Sequence, residues 1–423
     1  MDARSRRLSN RRLGCQDLRS GVGSAFAIAT RGGITLREER PLKSRSLSRE
    51  STGKDGFPHY MLKEIYEQPF VVGRLIEESL DQTGRILLPS LALSAKEIQA
   101  FSRITIAASG SSRHAGMVGE FMLERMTGLP VEVDFASQYC YRDPVVASQE
   151  LTVFLSQSGT TIDTITALQV AHRKGAKSLA ICNVPETPLT LNADAALLTH
   201  AGEEVAIAAT KSFTTQLTVL YLLASFMAQT RGNPTPGGAE AIAALRSMPE
   251  LIEKALACDA DCRGFAGQLY RYKDFIYIGR DIDYPIALEG ALKLKEISYI
   301  HAEGYPTGEL KHGPTALVHA ELPLVVLATH DAGDHDSLLR YRKTVANIRE
   351  FLEREIPVLA IVNESDREIA SMTSCVLRVP DVPVLLQPIV EVVPLQLLAY
   401  HIAVLCGRNV DQPRHLSKSV VLE

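Results

Sequence analysis

From about residue 100 onward the chain alternates short, β-branched apolar runs with longer stretches in which apolar positions recur every three to four residues. That alternation predicts a parallel sheet covered by helices. The runs are "RITIAAS" (103–109), "LTVFLS" (151–156), "SLAIC" (178–182) and "AALLT" (195–199), followed by "DFIYIG" (274–279), "LPLVVLA" (322–328), "PVLAIV" (357–362) and "CVLRV" (375–379). Ile104 to Val153 and Phe275 to Leu324 are both 49 residues apart, and the intervals Leu179 to Ala196 and Val358 to Val376 are 17 and 18. Matching intervals between four paired runs predict an internal duplication of one α/β unit. The stretch "QTRGNPTPGGAEA" (229–241) breaks both periodicities and reads as the linker between copies. A helical region over about 60–100 is expected to pack on the first unit.

The chemistry-bearing residues sit where the runs end. "SQSGTT" (156–161) follows one strand and precedes the helical "IDTITALQVAHRKG", and "SGSS" (109–112) follows another. Ligands of open parallel sheets bind beyond the carboxyl ends of the strands. Unpaired N–H groups at a helix start, ringed by hydroxyls, suit a phosphate. Capping of the helix by Ser156, Thr160 or Thr161 is the competing reading, and the stretch alone leaves both open. In the second copy, "GRDIDYPIALEGALKLKEISYIHAEG" predicts a helix over about 285–300, with Pro285 in its first turn and Asp281 or Asp283 as cap. Glu289, Lys293 and Glu296 then share one face, either as an exposed salt-bridged surface or as acid–base machinery. Glu309, Lys311 and His312 follow closely. Lys418 lies in a polar tail that reads either as a fraying end or as an amine folded over a site.

Composition narrows the classes. Of 423 residues, 46% are hydrophobic and 22% charged, which suits a soluble protein of two or three domains. The net charge of -4 divides into +7 for residues 1–50 and -11 for the remainder, so the body is not expected to bind nucleic acid. No apolar run is read as reaching the ~18 residues of a membrane span. The 7 cysteines show no metal-ligand spacing, and a reducing cytoplasm fits them best. The residues call for no metal and no cofactor. The basic segment 1–50 carries 5 acidic residues, which argues against a transit peptide and favours a disordered or partly ordered leader.

Taken in order, "HYMLKEIYEQP" (59–69), "SGSSRHAG" (109–116), "SQSGTTIDT" (156–164), "ATKSFTTQL" (209–217), "ALEGALKLKEISYIHAEG" (287–304), "GELKHGP" (308–314), "VPLQLLAYHIA" (393–403) and "DQPRHLSKSV" (411–420) resemble one family. It is the isomerase part of the isomerising glutamine-fructose-6-phosphate aminotransferases, the glucosamine-6-phosphate synthases. The resemblance spans about residues 57–423 and implies two tandem sugar isomerase (SIS) domains, each a doubly wound α/β parallel sheet flanked by helices. It implies contacts to a hexose 6-phosphate from Ser111, Ser112, Ser156, Gln157, Ser158 and Thr161. Glu296 matches the base of the C1–C2 proton shift and Lys293 its helper. His312 matches the ring-opening histidine, given in the family by a neighbouring subunit, which implies a homodimer. Lys418 matches the lysine that forms an imine with open-chain fructose 6-phosphate.

The resemblance divides the chain into 1–56, a leader or remnant of a glutaminase domain and linker, 57–235 and 236–409, the two SIS domains, and 410–423, a catalytic tail. Thr160 stands where these synthases usually have Glu, and Ala209 where many have Ser. The family's glutaminase domain opens on a nucleophilic Cys after Met, whereas position 2 is Asp and Cys15 is far from a chain start. Residues 24–36 look weakly like that domain's last hairpin. The nitrogen is therefore expected to come as ammonia, from solution or from a separate glutaminase. A deaminase or phosphohexose isomerase, and a non-catalytic sugar-phosphate sensor, are the alternatives.

Overall fold

The computed structural model describes residues 53–233 and 237–420. The readings of Cys15 and of residues 24–36, and the unit boundary at 235, lie outside the described residues. Helices α1 (Tyr60–Ser79) and α2 (Ala95–Ala100) lead into β1 (Arg103–Ala108), α3 (Gly110–Thr127), β2 (Val131–Phe135), α4 (Ala136–Tyr141), β3 (Glu150–Ser156), α5 (Ile162–Arg173), β4 (Lys177–Cys182), α6 (Pro188–Asn192), β5 (Ala195–Leu198) and α7 (Lys211–Arg231). After α8 (Gly238–Arg246), α9 (Met248–Leu256) and α10 (Asp259–Leu269) come β6 (Asp274–Gly279), α11 (Asp283–Ser298), β7 (His301–Pro306), β8 (Leu324–Leu327), α12 (His335–Glu353), β9 (Val358–Asn363), α13 (Glu368–Met372), β10 (Val376–Val379) and α14 (Gln387–Leu405).

Both sheets have five strands, in the orders β2-β1-β3-β4-β5 and β10-β9-β8-β6-β7, and every pairing is parallel. Read from the other edge, the second order is the first with β6 standing for β1, so the duplication seen in the run spacing is also a duplication of topology. The eight apolar runs became eight of the ten strands among the described residues. The other two, β2 ("VEVDF") and β7 ("HAEGYP"), are edge strands with polar, Gly or Pro residues. A strand covered on both faces needs a continuous apolar run, whereas an edge strand does not. The linker is also shorter than its composition suggested, because α7 continues to Arg231 and α8 begins at Gly238.

One continuous core joins the facing sides of the two sheets through α1, α3, α7, α10, α11 and α14. Separate clusters cover the outer faces, one around Tyr139, Phe154 and Leu168, the other around Tyr341, Ile348 and Phe351. Helices α7 and α14 are buried along almost their whole length; α7 carries buried Lys, Ser, Thr and Gln in its first turns, whereas α14 is apolar on nearly every side, as a fully buried helix can be. This corrects the reading that no apolar stretch reaches span length. Residues 384–405 reach a mean hydropathy of 1.7 over an 18-residue window, and 89% of that window is buried inside the protein.

Helix α11 begins at Asp283 rather than 285, with Pro285 in its first turn as expected. Neither Asp281 nor Asp283 caps it: the N-cap is Ile282, without a side-chain cap bond, and Asp283 is buried. The strand enters the helix so tightly that a Cβ on Gly279 would lie 2.5 Å from the Asp283 carbonyl oxygen. This tight turn fixes the α11 face that carries Glu289 and Lys293.

Candidate active site between the two units

The turn after β3 is held by its own hydroxyls. Gly159 N–H donates to Ser156 Oγ (3.0 Å) and Thr160 N–H to Ser158 Oγ (3.3 Å). Gly159 has φ +67, and a Cβ there would lie 2.1 Å from Thr187 Oγ1, so only glycine fits. The helix-capping reading fails on geometry: Thr161 is the N-cap of α5 yet makes no side-chain cap bond. The first α5 amide is served instead by the tail, as Ile162 N–H donates to the Val420 carbonyl at 3.0 Å. Ser419 follows it into the turn, with its Oγ 3.0 Å from Ser158 Oγ and 2.7 Å from Thr160 Oγ1. The tail is thus seated on the hydroxyl turn.

The turn after β1 reaches the second unit. Ser111 Oγ donates to Glu289 Oε1 (2.8 Å) and accepts from Lys293 Nζ (3.1 Å), while His114 Nδ1 lies 2.8 Å from Glu289 Oε2. Lys293 Nζ is also 2.6 Å from Glu296 Oε2. Glu289 and Lys293 are buried, and the Glu296 side chain is 22% exposed. An exposed salt-bridged face is therefore excluded for α11. Burial pushes the Glu289 carboxyl up, but Lys293, His114 and Ser111 outweigh it and hold it below the usual carboxylate range. For Lys293, burial opposes the ammonium, and the two glutamates overcome it and hold the lysine above its ordinary value. A charge in this site is acceptable only because each has a partner. Ser112 is occupied differently, accepting from Gln216 Nε2 on α7 at 3.0 Å.

Lys418 Nζ reaches Glu204 Oε2 and the Ala206 carbonyl oxygen, both at 2.6 Å. Glu204 also accepts from Thr210 N–H (2.9 Å), Ser212 N–H (3.1 Å) and Ser212 Oγ (2.6 Å). Burial would raise this carboxyl, but Lys418 and these donors bring it down to about 2. His312 stands apart, exposed at the end of the 3-10 turn Thr307–His312, with no hydrogen bond or ion pair to any described residue. Gln157 gives its carbonyl to Asn183 N–H at 3.2 Å, and Thr161 Oγ1 lies 3.4 Å from Ser156 Oγ.

Sequence reasoning placed Glu289 on the right face without giving it a role, and passed over Glu204 and Ser419. Glu204 was findable: a tail lysine that folds inward requires a buried carboxylate, and "GEEVA" (202–206) follows a strand end. Two clefts, of about 810 Å³ beside Pro323, Val358 and Cys375 and about 610 Å³ beside Asp281 and Arg340, lie elsewhere. The cluster described above sits at the strand ends where parallel sheets bind ligands, and it combines hydroxyls with acid–base groups. Among the described residues no group of three or more His, Cys, Asp or Glu side chains is placed to hold a metal ion.

Two duplicated parallel sheets, with hydroxyl turns at the strand ends of the first, define a class. The SIS-domain pattern matches residues 97–226 and 268–406, and the chain belongs to that family. It is 46% identical over 400 residues to the glutamine–fructose-6-phosphate aminotransferase (isomerizing) of Thermus thermophilus, a match covering 92% of this chain and 64% of that relative's length. The chain thus spans a little under two-thirds of that relative. Its structure is similar to the C-terminal domain of glucosamine-fructose-6-phosphate aminotransferase from Francisella tularensis, with a TM-score of 0.79 and 38% identity, covering 85% of this chain and all (100%) of the other. The glucosamine-6-phosphate deaminase of Thermotoga maritima shares the fold, at a TM-score of 0.65 and 23% identity, with 86% of this chain and 100% of the other covered.

Proposed function

We propose that the chain converts fructose 6-phosphate and ammonia into glucosamine 6-phosphate. The carrying observation is the bridge across the duplication, in which Ser111 of the first unit is bonded to both Glu289 and Lys293 of the second. That bridge sets an acid–base helix against a hydroxyl turn suited to a phosphate. On this reading the 6-phosphate sits among Ser111, Ser112, Ser156, Gln157, Ser158 and Thr161, where neutral hydroxyls and helix-start amides receive its charge. Glu296 moves the proton between C1 and C2, and Lys293, 2.6 Å away, offsets the charge that develops. Lys418 forms an imine at C2, which ammonia then displaces. His312 opens the sugar ring of a neighbouring subunit in a homodimer, which accounts for its isolation within one chain. The ammonia comes from solution or from a separate glutaminase, and the enzyme works in the cytoplasm.

The test is a product assay. Fructose 6-phosphate with ammonium should give glucosamine 6-phosphate. Loss of ammonia from glucosamine 6-phosphate with no reaction in the forward assay would make the protein a deaminase. Interconversion of hexose phosphates alone would make it an isomerase. Binding without turnover would leave a sensor.

A further inference from the structure

Glu64 of α1 is bonded to the same short loop that receives the tail lysine. Its Oε1 accepts from Val205 N–H (2.5 Å) and Ala206 N–H (3.2 Å), the residues directly after Glu204. The Ala206 carbonyl and the Glu204 carboxylate are the two acceptors of Lys418 Nζ. Glu64 thus fastens the short loop by the loop's amides, and Lys418 holds it through a carboxylate and a carbonyl. Its other oxygen, Oε2, is buried without a hydrogen-bond partner. An ionised carboxylate in that position costs far more than a protonated one.

We propose that Glu64 is a positioning residue for Lys418, fixing the 204–206 loop and governing, through the charge it adds beside Glu204, how firmly the lysine's ammonium group is held. The inference rests on the reading of Lys418 as the imine-forming amine. An ammonium group and a carbonyl give a protonated imine and water with no net change in protons. Within that sequence the amine must give up a proton before its nitrogen bonds to carbon, and a proton must reach the oxygen that leaves as water. Glu204, 2.6 Å from the amine, is placed to take the first and return it. A neutral Glu64 leaves the pair with one negative charge, and an ionised Glu64 gives it two.

Burial and the Glu204 charge push the Glu64 carboxyl up to about 8, against the Val205 and Ala206 amides and Lys418, which lower it. The other charged groups near it are already engaged. Lys211 of α7 and Lys63 of α1 both pair with Glu67, Lys63 also pairs with Asp55, and Asp411 holds the Tyr60 and Met61 amides and Lys54.

The test reads Lys418 without requiring turnover. Trace acetylation with acetic anhydride is followed at Lys418 by mass spectrometry from pH 7 to 10, in the parent, Glu64→Gln and Glu64→Leu. In the parent, labelling of Lys418 should rise less steeply above pH about 8, where Glu64 ionises, than in Glu64→Gln. Glu64→Gln, which mimics the neutral acid, should remove that lag and label up to about tenfold faster than the parent at pH 10, the scale of one neighbouring buried charge. Glu64→Leu, which frees the Val205 and Ala206 amides, should label faster at every pH. Identical pH profiles for parent and Glu64→Gln overturn the proposal, including when Glu64→Leu fails to fold. Borohydride trapping with fructose 6-phosphate runs alongside. A parent that traps no adduct refutes the imine reading, while the acetylation profiles still decide the role of Glu64.

Discussion

The two units share strand order, register direction and run spacing, yet their strand ends carry opposite chemistry. In the first unit the turn after β3 is Ser156, Gln157, Ser158, Gly159, Thr160 and Thr161, a cradle of neutral hydroxyls. At the equivalent position after β8 the second unit has Thr329, His330 and Asp331. Its Thr329 hydroxyl is spent on Glu391 of α14, and Asp331 binds the Val384 amide at 3.0 Å. Asp283 and Glu391 are buried there, and burial raises both carboxyls, Asp283 well above its ordinary value and Glu391 to about 7. The first unit's strand end thus offers hydroxyls and helix-start amides, whereas in the second the Thr329 hydroxyl and the Val384 amide are already taken by carboxylates of the same unit. On the proposed function the duplication divided the labour: one copy presents a hydroxyl turn for the phosphate, and the other turns a helix face, α11, onto the first copy through Ser111.

The sharpest way to break this division is Glu296→Gln. The change keeps shape and removes only the proton acceptor, and general-base catalysis is worth roughly 100- to 10,000-fold. Turnover of fructose 6-phosphate should fall by about that factor while hexose-phosphate affinity, measured by calorimetry, stays within about twofold. Equal turnover in variant and parent would make the α11 carboxylates structural.

The next effect lies wholly in the second unit. Glu391 has a folded-state value raised above its unfolded one, so its contribution is fully present below pH about 4.5 and is lost as pH rises through about 7. The size is on the order of 3 kcal/mol. Glu391→Gln should remove that loss, so that relative to the parent the variant gains stability between pH 5 and pH 8 in urea unfolding, with hexose-phosphate affinity unchanged. Reduced affinity in this variant would mean that the second unit's strand ends also bind substrate.

The sequence made this contrast partly legible. Run spacing disclosed the duplication because central strands, covered on both faces, must be continuously apolar. It missed β2 and β7 because edge strands are free of that demand. The hydroxyl turns were visible because Ser, Thr and Gly at a strand end have few purposes. The Ser111–Glu289–Lys293 bridge was not, since a spacing of 4 on a helix puts two residues on one face without saying whether that face meets water or another unit. Glu64 was hidden for a related reason, and Glu204 was signalled only by its place after a strand end. Their role depends on a tail more than 200 positions away folding back, and no local pattern encodes that contact.

Ser158→Ala addresses the first unit's cradle directly. One charge-assisted hydrogen bond to a phosphate is worth roughly 1.5 to 3 kcal/mol, so affinity for glucose 6-phosphate should drop by a corresponding factor. The matched change in the second unit, Thr329→Ala, should leave affinity alone. If both changes weaken binding equally, the units are not divided in the way proposed.

The smallest effect concerns Thr160, where the resembled synthases usually carry Glu. Its hydroxyl lies 2.7 Å from Ser419 Oγ and donates to Ser158 Oγ at 3.1 Å, so it ties the tail to the cradle. Thr160→Val keeps the volume and removes both bonds. Each is worth roughly 0.5 to 1.5 kcal/mol, and the tail keeps its other ties, from Ser419 to Ser158, from Val420 to the Ile162 amide and from Lys418 to Glu204. Amide exchange over 416–420 should therefore quicken by about fivefold to a hundredfold, while exchange in α12 and β9 of the second unit is unaltered. No such segment lies over the second unit's strand ends among the described residues, so the exchange contrast between units should shrink in the variant. If the tail exchanges as slowly as before, Val420, Lys418 and the Ser158–Ser419 bond hold it, and the Thr160–Ser419 contact follows from the tail's placement without contributing to it.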